Sequence, residues 1–174
     1  GYTGKKVSIN FSSGQIKDND YIDFLAKNLQ KYNIDPELLE IEITESIFLE
    51  KSKDTLSYLN KLKEIGVDIA LDDFGTGFSS LNYLTYMPVD KIKLDKSLND
   101  QFLEDDNKMV IYPLISLGHS LGLTITAEGI ERPGQYYRLR DGGCDYIQGY
   151  LFSKPLRAFD IEKIYYENMV MLTL

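Results

Sequence analysis

The stretch Asp72-Asp73-Phe74-Gly75-Thr76-Gly77 follows an apolar run, Val67-Asp68-Ile69-Ala70-Leu71, and carries the most visible chemistry in this chain. Adjacent carboxylates repel and gain nothing from packing, so a strand that ends on two of them points to a bound cation. The two glycines let the backbone turn tightly behind them. Glu42 and Glu128 add hard oxygen donors and Asn10 an amide oxygen, while His119 and Cys144 are the only residues of their kinds. This donor set suits magnesium or manganese and leaves no Cys/His zinc site. Two ions sharing a carboxylate would activate a water and stabilise charge on a phosphoryl oxygen during in-line displacement, and Asp72, beside Asp73, is the natural bridge. Lys93 is the one cation expected to point inward with them, held charged by carboxylate neighbours and aimed at the water or the phosphate.

Plainer readings compete at several positions. Asp-Phe-Gly also holds magnesium in protein kinases, but this chain has neither a glycine-rich loop nor a His-Arg-Asp catalytic loop. Lys93 could form a plain ion pair with Asp95; a Schiff-base role is weaker, because surrounding carboxylates raise a lysine pKa. Glu45 could simply open the next helix. His119, in a helical stretch, reads as structural. Glu40, Glu50, the run Glu104-Asp105-Asp106 and the lysines Lys51, Lys53, Lys61 and Lys63 read as solvated faces. Tyr136-Tyr137 and Tyr165-Tyr166 read as packing or surface, with too few basic residues around them for a nucleic-acid groove.

The elements that must position these groups are legible as well. Strand-like runs at 7–10, 39–44, 67–72, 91–94, 123–128 and 145–151 alternate with helical patterns at 18–32, 51–65 and 105–121, the last with Pro113 as a candidate kink. Gly66 and Gly122 stand just past two of these helices as stop signals. No sequence repeat or linker is evident. The alternation indicates a parallel sheet, open and doubly wound or closed into a barrel. Within the runs, Ile41 and Ile43 oppose Glu42, Ile69 and Leu71 oppose Asp72, Ile92 and Leu94 oppose Lys93 and Asp95, and Ile125 and Ala127 oppose Glu128. Val7 and Ile9 likewise oppose Asn10, and Ile147 opposes Gln148. In a parallel barrel, Asn10, Glu42, Asp72, Lys93, Asp95, Glu128 and Gln148 should then meet at the C-terminal mouth, where catalytic groups gather. The alternative is a sheet with one wet face.

Composition bounds the function. At 174 residues, with 43% apolar and 26% charged residues, one globular domain is the default. A formal charge of -8 argues against a nucleic-acid polymer as partner, while an acidic pocket can still take a phosphorylated ligand through a cation. The lone cysteine excludes an internal disulfide and fits a reducing cytoplasm. No run approaches the roughly 20 apolar residues of a membrane span, and there is no signal-peptide pattern, so no membrane contact is expected of this segment.

Taken together and in order, six motifs resemble the EAL domain family of bacterial cyclic-di-GMP phosphodiesterases: Val7-Ser8-Ile9-Asn10, Glu42-Ile43-Thr44-Glu45, the Asp72 to Gly77 loop, Lys91-Ile92-Lys93-Leu94-Asp95, Ala127-Glu128-Gly129-Ile130-Glu131, and Gln148-Gly149-Tyr150-Leu151-Phe152-Ser153-Lys154-Pro155. The resemblance implies an α/β, TIM-barrel-like fold and metal-dependent hydrolysis of cyclic-di-GMP to linear pGpG with two Mg2+ or Mn2+ ions. By position, Asn10, Glu42 and Asp72 resemble ligands of one metal, and Asp72, Asp73 and Glu128 ligands of the other. Lys93 would position or deprotonate the attacking water. Asp95, Glu131 and Gln148 resemble residues lining the substrate site, and Glu45 the glutamate that steadies the loop from Asp73 to Ser80. That loop also links metal binding to dimerisation in the family, so a homodimer is implied.

The chain departs from the family by lacking the Glu-Ala-Leu segment, whose glutamate is a metal ligand, and the nearby substrate-binding arginine. Leu98 and Arg132 stand where phenylalanine and threonine are common. The N-terminus reads as a cut edge, and against the roughly 250 residues of such a barrel about 75 are missing. The six strands would be the last six of eight, making residues 1–174 the C-terminal three-quarters of an EAL domain. Two other function classes compete: a catalytically inactive EAL remnant that binds nucleotide or a protein partner, and a metal-dependent barrel lyase.

Overall fold

β-Branched residues and leucines at alternate positions build six strands: β1 (Val7–Phe11), β2 (Leu39–Thr44), β3 (Asp68–Phe74), β4 (Lys91–Leu94), β5 (Thr124–Ala127) and β6 (Tyr146–Ile147). Among the described residues, six α-helices accompany them: α1 (Asp20–Tyr32), α2 (Lys53–Ile65), α3 (Lys96–Leu103), α4 (Ile111–Ser120), α5 (Pro133–Asp141) and α6 (Ala158–Met171). The computed structural model describes residues 5–12, 14–15, 20–48, 53–76, 83–103 and 110–171, and their side chains apart from residues 48, 53 and 165–171. Gly77 and the loop to Ser80, Glu50, Lys51, the acidic run Glu104-Asp105-Asp106, and the expected helix starts at 18, 51 and 105 lie outside the described residues.

All strand pairs are parallel, in the order β1-β2-β3-β4-β5-β6. A doubly wound sheet reverses its strand order at a switch point. This strictly sequential order, in which every crossover winds to the same side of the sheet, is that of a parallel barrel. Ile41, Ile43, Ile69, Leu71, Ile92, Leu94, Ile125 and Ala127 form the buried layer under the helices, with Leu59, Leu62, Ile111, Ile115 and Leu139 against them.

The opposite faces of the strands hold polar layers one strand repeat apart. In the lower layer Glu40 is buried, accepts a hydrogen bond from Ser8 Oγ at 2.8 Å, and pairs with Lys91 at 2.5 Å. The expectation that Glu40 is solvated is therefore wrong: it shares the interior parity of Glu42. Lys63 is likewise no free surface charge, pairing with Asp90 at 2.7 Å and Asp68 at 3.5 Å.

One device ties the lower rim together twice. Asp90 accepts the Ile69 amide at Oδ2 (2.8 Å) and donates its own amide to Ile69 O (2.8 Å), while Lys63 of α2 binds the same carboxylate oxygen. Asp145 does the same with Ile125 at 2.7 and 3.2 Å, and His119 Nε2 of α4 stands 2.8 Å from its Oδ2. Lys63-Gly66-Ile69 and His119-Gly122-Ile125 share one spacing, with both glycines at positive φ (99° and 77°), as their stop signals predict. The sequence shows no long repeat, yet this short unit recurs, and the structural reading of His119 holds.

Other expectations need correction. Helices α3, α5 and α6 fall outside the expected helical patterns; α3 and α5 carry polar residues at buried positions, Asn99 and Gln135, which hide their amphipathic character. Pro113 makes no mid-helix kink, because it stands in the first turn of α4, where a missing amide costs little. β6 ends at Ile147, and the chain turns from Gly149, whose carbonyl accepts the Phe152 amide at 3.1 Å.

Candidate active site

The C-terminal ends of β2 to β5 deliver the upper polar layer. Lys93, 5% exposed, sits with its ammonium among three carboxylates: Glu42 Oε1 at 2.7 Å, Glu128 Oε1 at 2.8 Å and Asp72 Oδ1 at 3.0 Å. Burial alone would lower the pKa of this lysine, but its close contacts with Glu128, Glu42 and Asp72 outweigh that and hold it well above the ordinary value. The ion pair with Asp95, the plain alternative, does not form. A Schiff-base role is equally disfavoured, since an ammonium so held is no nucleophile.

Asp95 instead caps α3, its Oδ1 accepting from the amide of Ser97 (2.8 Å) and from the Ser97 hydroxyl. Burial opposes ionisation there, but the Ser97 hydrogen bonds hold the carboxyl below the usual range.

Strict alternation would send Asp72 and Asp73 to opposite faces. The register between β3 and β4 shifts between Leu71 and Phe74, and Asp73 adopts a left-handed φ of 55°, a conformation that Asp and Asn tolerate better than other side chains. Burial and the charges of Asp72 and Asp95 push the Asp73 carboxyl upward. Glu128 is also pushed up, by burial first and then by the charges of Asp72 and Glu42, against the pull of Lys93. Glu45 Oε1 accepts the Gly75 amide at 2.9 Å, tying the turn after Asp73 to the end of β2. Asn10 on β1 stands in register with Glu42.

A cavity of about 300 Å³ opens beside this cluster, lined by Asp95, Glu128, Glu131, Gln148 and Tyr150 among others. It gathers the three residues expected to line a substrate site. Lys96 and Tyr150 also line it; sequence reasoning does not single them out, although Tyr150 lies within a quoted motif and Lys96 directly follows one. Lys96 pairs with Glu131.

The donors fit a divalent cation. Three carboxylates face one ammonium, and Asp72 Oδ1, buried, accepts no well-aligned hydrogen bond although Lys93 is 3.0 Å away. Among the described residues, no three His, Cys, Asp or Glu side chains already stand close enough together to grip one ion. The carboxylates converge on Lys93 instead.

A family model described as EAL domain matches residues 2–155. This chain belongs to the EAL domain family. The EAL chain is 34% identical over 164 residues to the cyclic di-GMP phosphodiesterase NbdA of Pseudomonas aeruginosa, covering 94% of this chain and 21% of that protein. It matches the EAL enzyme Bd1971, solved in a cAMP- and cyclic-di-GMP-bound form, with a TM-score of 0.86 and 35% identity, covering 91% of this chain and 42% of the other. Against BlrP1 of Klebsiella pneumoniae, solved as a manganese and cy-diGMP complex, the TM-score is 0.79 at 31% identity, with 87% and 40% covered. The fold is thus α/β and TIM-barrel-like, and the chain spans about a fifth of the length of the curated relatives it matches. Among the described residues no helix is long and apolar enough to cross a membrane.

Proposed function

We propose that this EAL chain is the C-terminal three-quarters of a domain that hydrolyses cyclic-di-GMP to linear pGpG with two divalent cations, magnesium or manganese. The observation that carries the reading is the burial of Lys93 among Glu42, Asp72 and Glu128 beside the cavity lined by Asp95, Glu131 and Gln148. The resemblance to a manganese and cy-diGMP complex supports the choice of substrate and metal.

Asn10, Glu42 and Asp72 would hold one ion and Asp72, Asp73 and Glu128 the other. Bound there, the ions supply positive charge against the phosphoryl oxygens and lower the pKa of a water. The chain's own residues do the rest. Lys93, kept charged by its partners, donates to the attacking water or to a phosphoryl oxygen and does not serve as the base. Glu45 holds the turn that presents Asp73. Asp95, Glu131 and Gln148 orient the dinucleotide through hydrogen bonds. Water adds to phosphorus, the bond to the 3′ oxygen breaks, and that oxygen takes up a proton. The domain acts as a homodimer in the cytoplasm, within a longer signalling protein, as the family resemblance and the lone cysteine support.

Incubation with cyclic-di-GMP and Mn2+, followed by chromatography, tests this. The chain should release pGpG only with metal, and Asp72→Asn should abolish release. Tight cyclic-di-GMP binding without turnover would replace the proposal with a nucleotide-binding module.

A further inference from the structure

Residues 128–131 carry Glu128 and Glu131 along the cavity, and α3 grips them from one face. Lys96 lays its stem over Gly129 so closely that a Cβ there would meet Lys96 Cβ at 2.4 Å, and its ammonium pairs with Glu131. Asp100 accepts from Gln135 Nε2 at 3.1 Å, and Gln135 Oε1 in turn accepts the amides of Glu131 and Arg132 at 3.1 and 3.0 Å. Between them, Asn99 is fully buried, and its Nδ2 donates to the carbonyls of Leu94 and Glu128, both at 2.9 Å. Positions three and four apart share one helix face, so a single turn of α3 reaches the whole segment.

Asn99 stands out for what it leaves undone. The two carbonyls dictate which way its amide points, and its Oδ1 is then buried with no hydrogen-bond partner among the described residues. A buried acceptor without a partner lowers stability, and a leucine would fill similar space without it. What a leucine would lose is the pair of donations, and with them a tie to one particular stretch of backbone. Beside the bond that the Glu128 amide itself makes to Leu94 O at 3.0 Å, the donations bridge the end of β4, one residue past Lys93, to the carbonyl of Glu128, and so fix the orientation of that peptide relative to the ammonium.

We propose that Asn99 is a positioning residue that holds the Glu128 backbone against β4 in the orientation the Lys93–Glu128 contact requires. Its catalytic consequence rests on the phosphodiesterase reading; its geometric role does not. Asn99→Leu, Asn99→Thr and, as a purely destabilised control, Leu103→Ala on the same helix separate the two. Backbone hydrogen exchange, Mn2+ titration calorimetry and kcat and KM for cyclic-di-GMP are measured on each.

Asn99→Leu should accelerate exchange selectively at residues 128–132, and should weaken Mn2+ binding or kcat by about 10- to 100-fold with a much smaller change in KM. Asn99→Thr, with one hydroxyl donor, should fall between it and the native chain and decides the matter if the leucine variant does not fold. Leu103→Ala should spread faster exchange over the helices and spare kcat. Exchange patterns of the Asn99 variants that match Leu103→Ala would overturn the proposal. A native chain that neither binds Mn2+ nor releases pGpG would sink the functional reading alone, because the exchange pattern still decides the placement of Glu128.

Discussion

Asp73 combines a left-handed backbone with a carboxyl that burial and two neighbouring charges push upward. A carboxyl whose folded pKa is raised destabilises the fold above that pKa and ceases to do so as pH falls through it. Asparagine accepts the same φ and carries no charge. Asp73→Asn is therefore expected to melt a few degrees higher than the native chain at pH 7, with the gap closing towards pH 4, and to lose Mn2+ affinity by at least about tenfold. Calorimetric scans across pH and a Mn2+ titration check both halves; a variant that melts lower at neutral pH would show that Asp73 is not strained by its neighbours. Lys93 sits at the other extreme, a buried cation whose pKa its three carboxylate neighbours hold well above the ordinary lysine value.

Among the elements, β3 matters most for its irregularity. The register shift after Leu71 is what brings two adjacent aspartates towards one mouth, and Glu45 ties the following turn down through Gly75. At the opposite rim, Asp90 and Asp145 each pair with an isoleucine of the neighbouring strand through both backbone groups and carboxylate. Asp90→Ala and Asp145→Ala each leave a strand amide without its side-chain acceptor and remove one helix-to-strand contact, that of Lys63 or of His119. Each is expected to lower unfolding free energy by about 1–3 kcal/mol in urea titrations, with little effect on Mn2+ affinity, because the lost contacts lie at the rim away from the metal donors. A large loss of Mn2+ binding with unchanged stability would contradict that separation of rims.

For the molecule as a whole, charge is organised in layers through the sheet, and pH reaches stability through them. Burial opposes ionisation of Asp68, but Lys6 and Lys63 outweigh it and hold its carboxyl below the usual range. A depressed folded pKa gives stability that is present above the unfolded value, about 3.9, and is lost as pH falls through the folded one. Asp68→Asn should therefore be less stable than the native chain at pH 7 and equal to it near pH 2, as urea midpoints across that range will read. Cys144 takes no part in such titration: burial pushes its thiol up to about 11, so it stays protonated and unreactive in the fold.

Strand parity was legible because side chains alternate with a period of two whatever the rest of the chain does, and this placed Glu42, Asp72, Lys93 and Glu128 at one mouth from sequence alone. The same rule, applied two residues before Glu42, places Glu40 on the interior face, against its reading as a solvated residue. Helices α3 and α5 were not legible, since Asn99 and Gln135 occupy buried positions only because distant backbone groups of β4 and residues 128–132 supply their partners. Nor could local sequence tell that Asp73 would escape alternation through a bulge, or that Lys93 would choose three carboxylates over nearby Asp95. Periodicity and motif order are properties of neighbours along the chain; hydrogen-bond partners, burial and shifted pKa values depend on groups brought together across strands, and only the tertiary structure decides which of them meet.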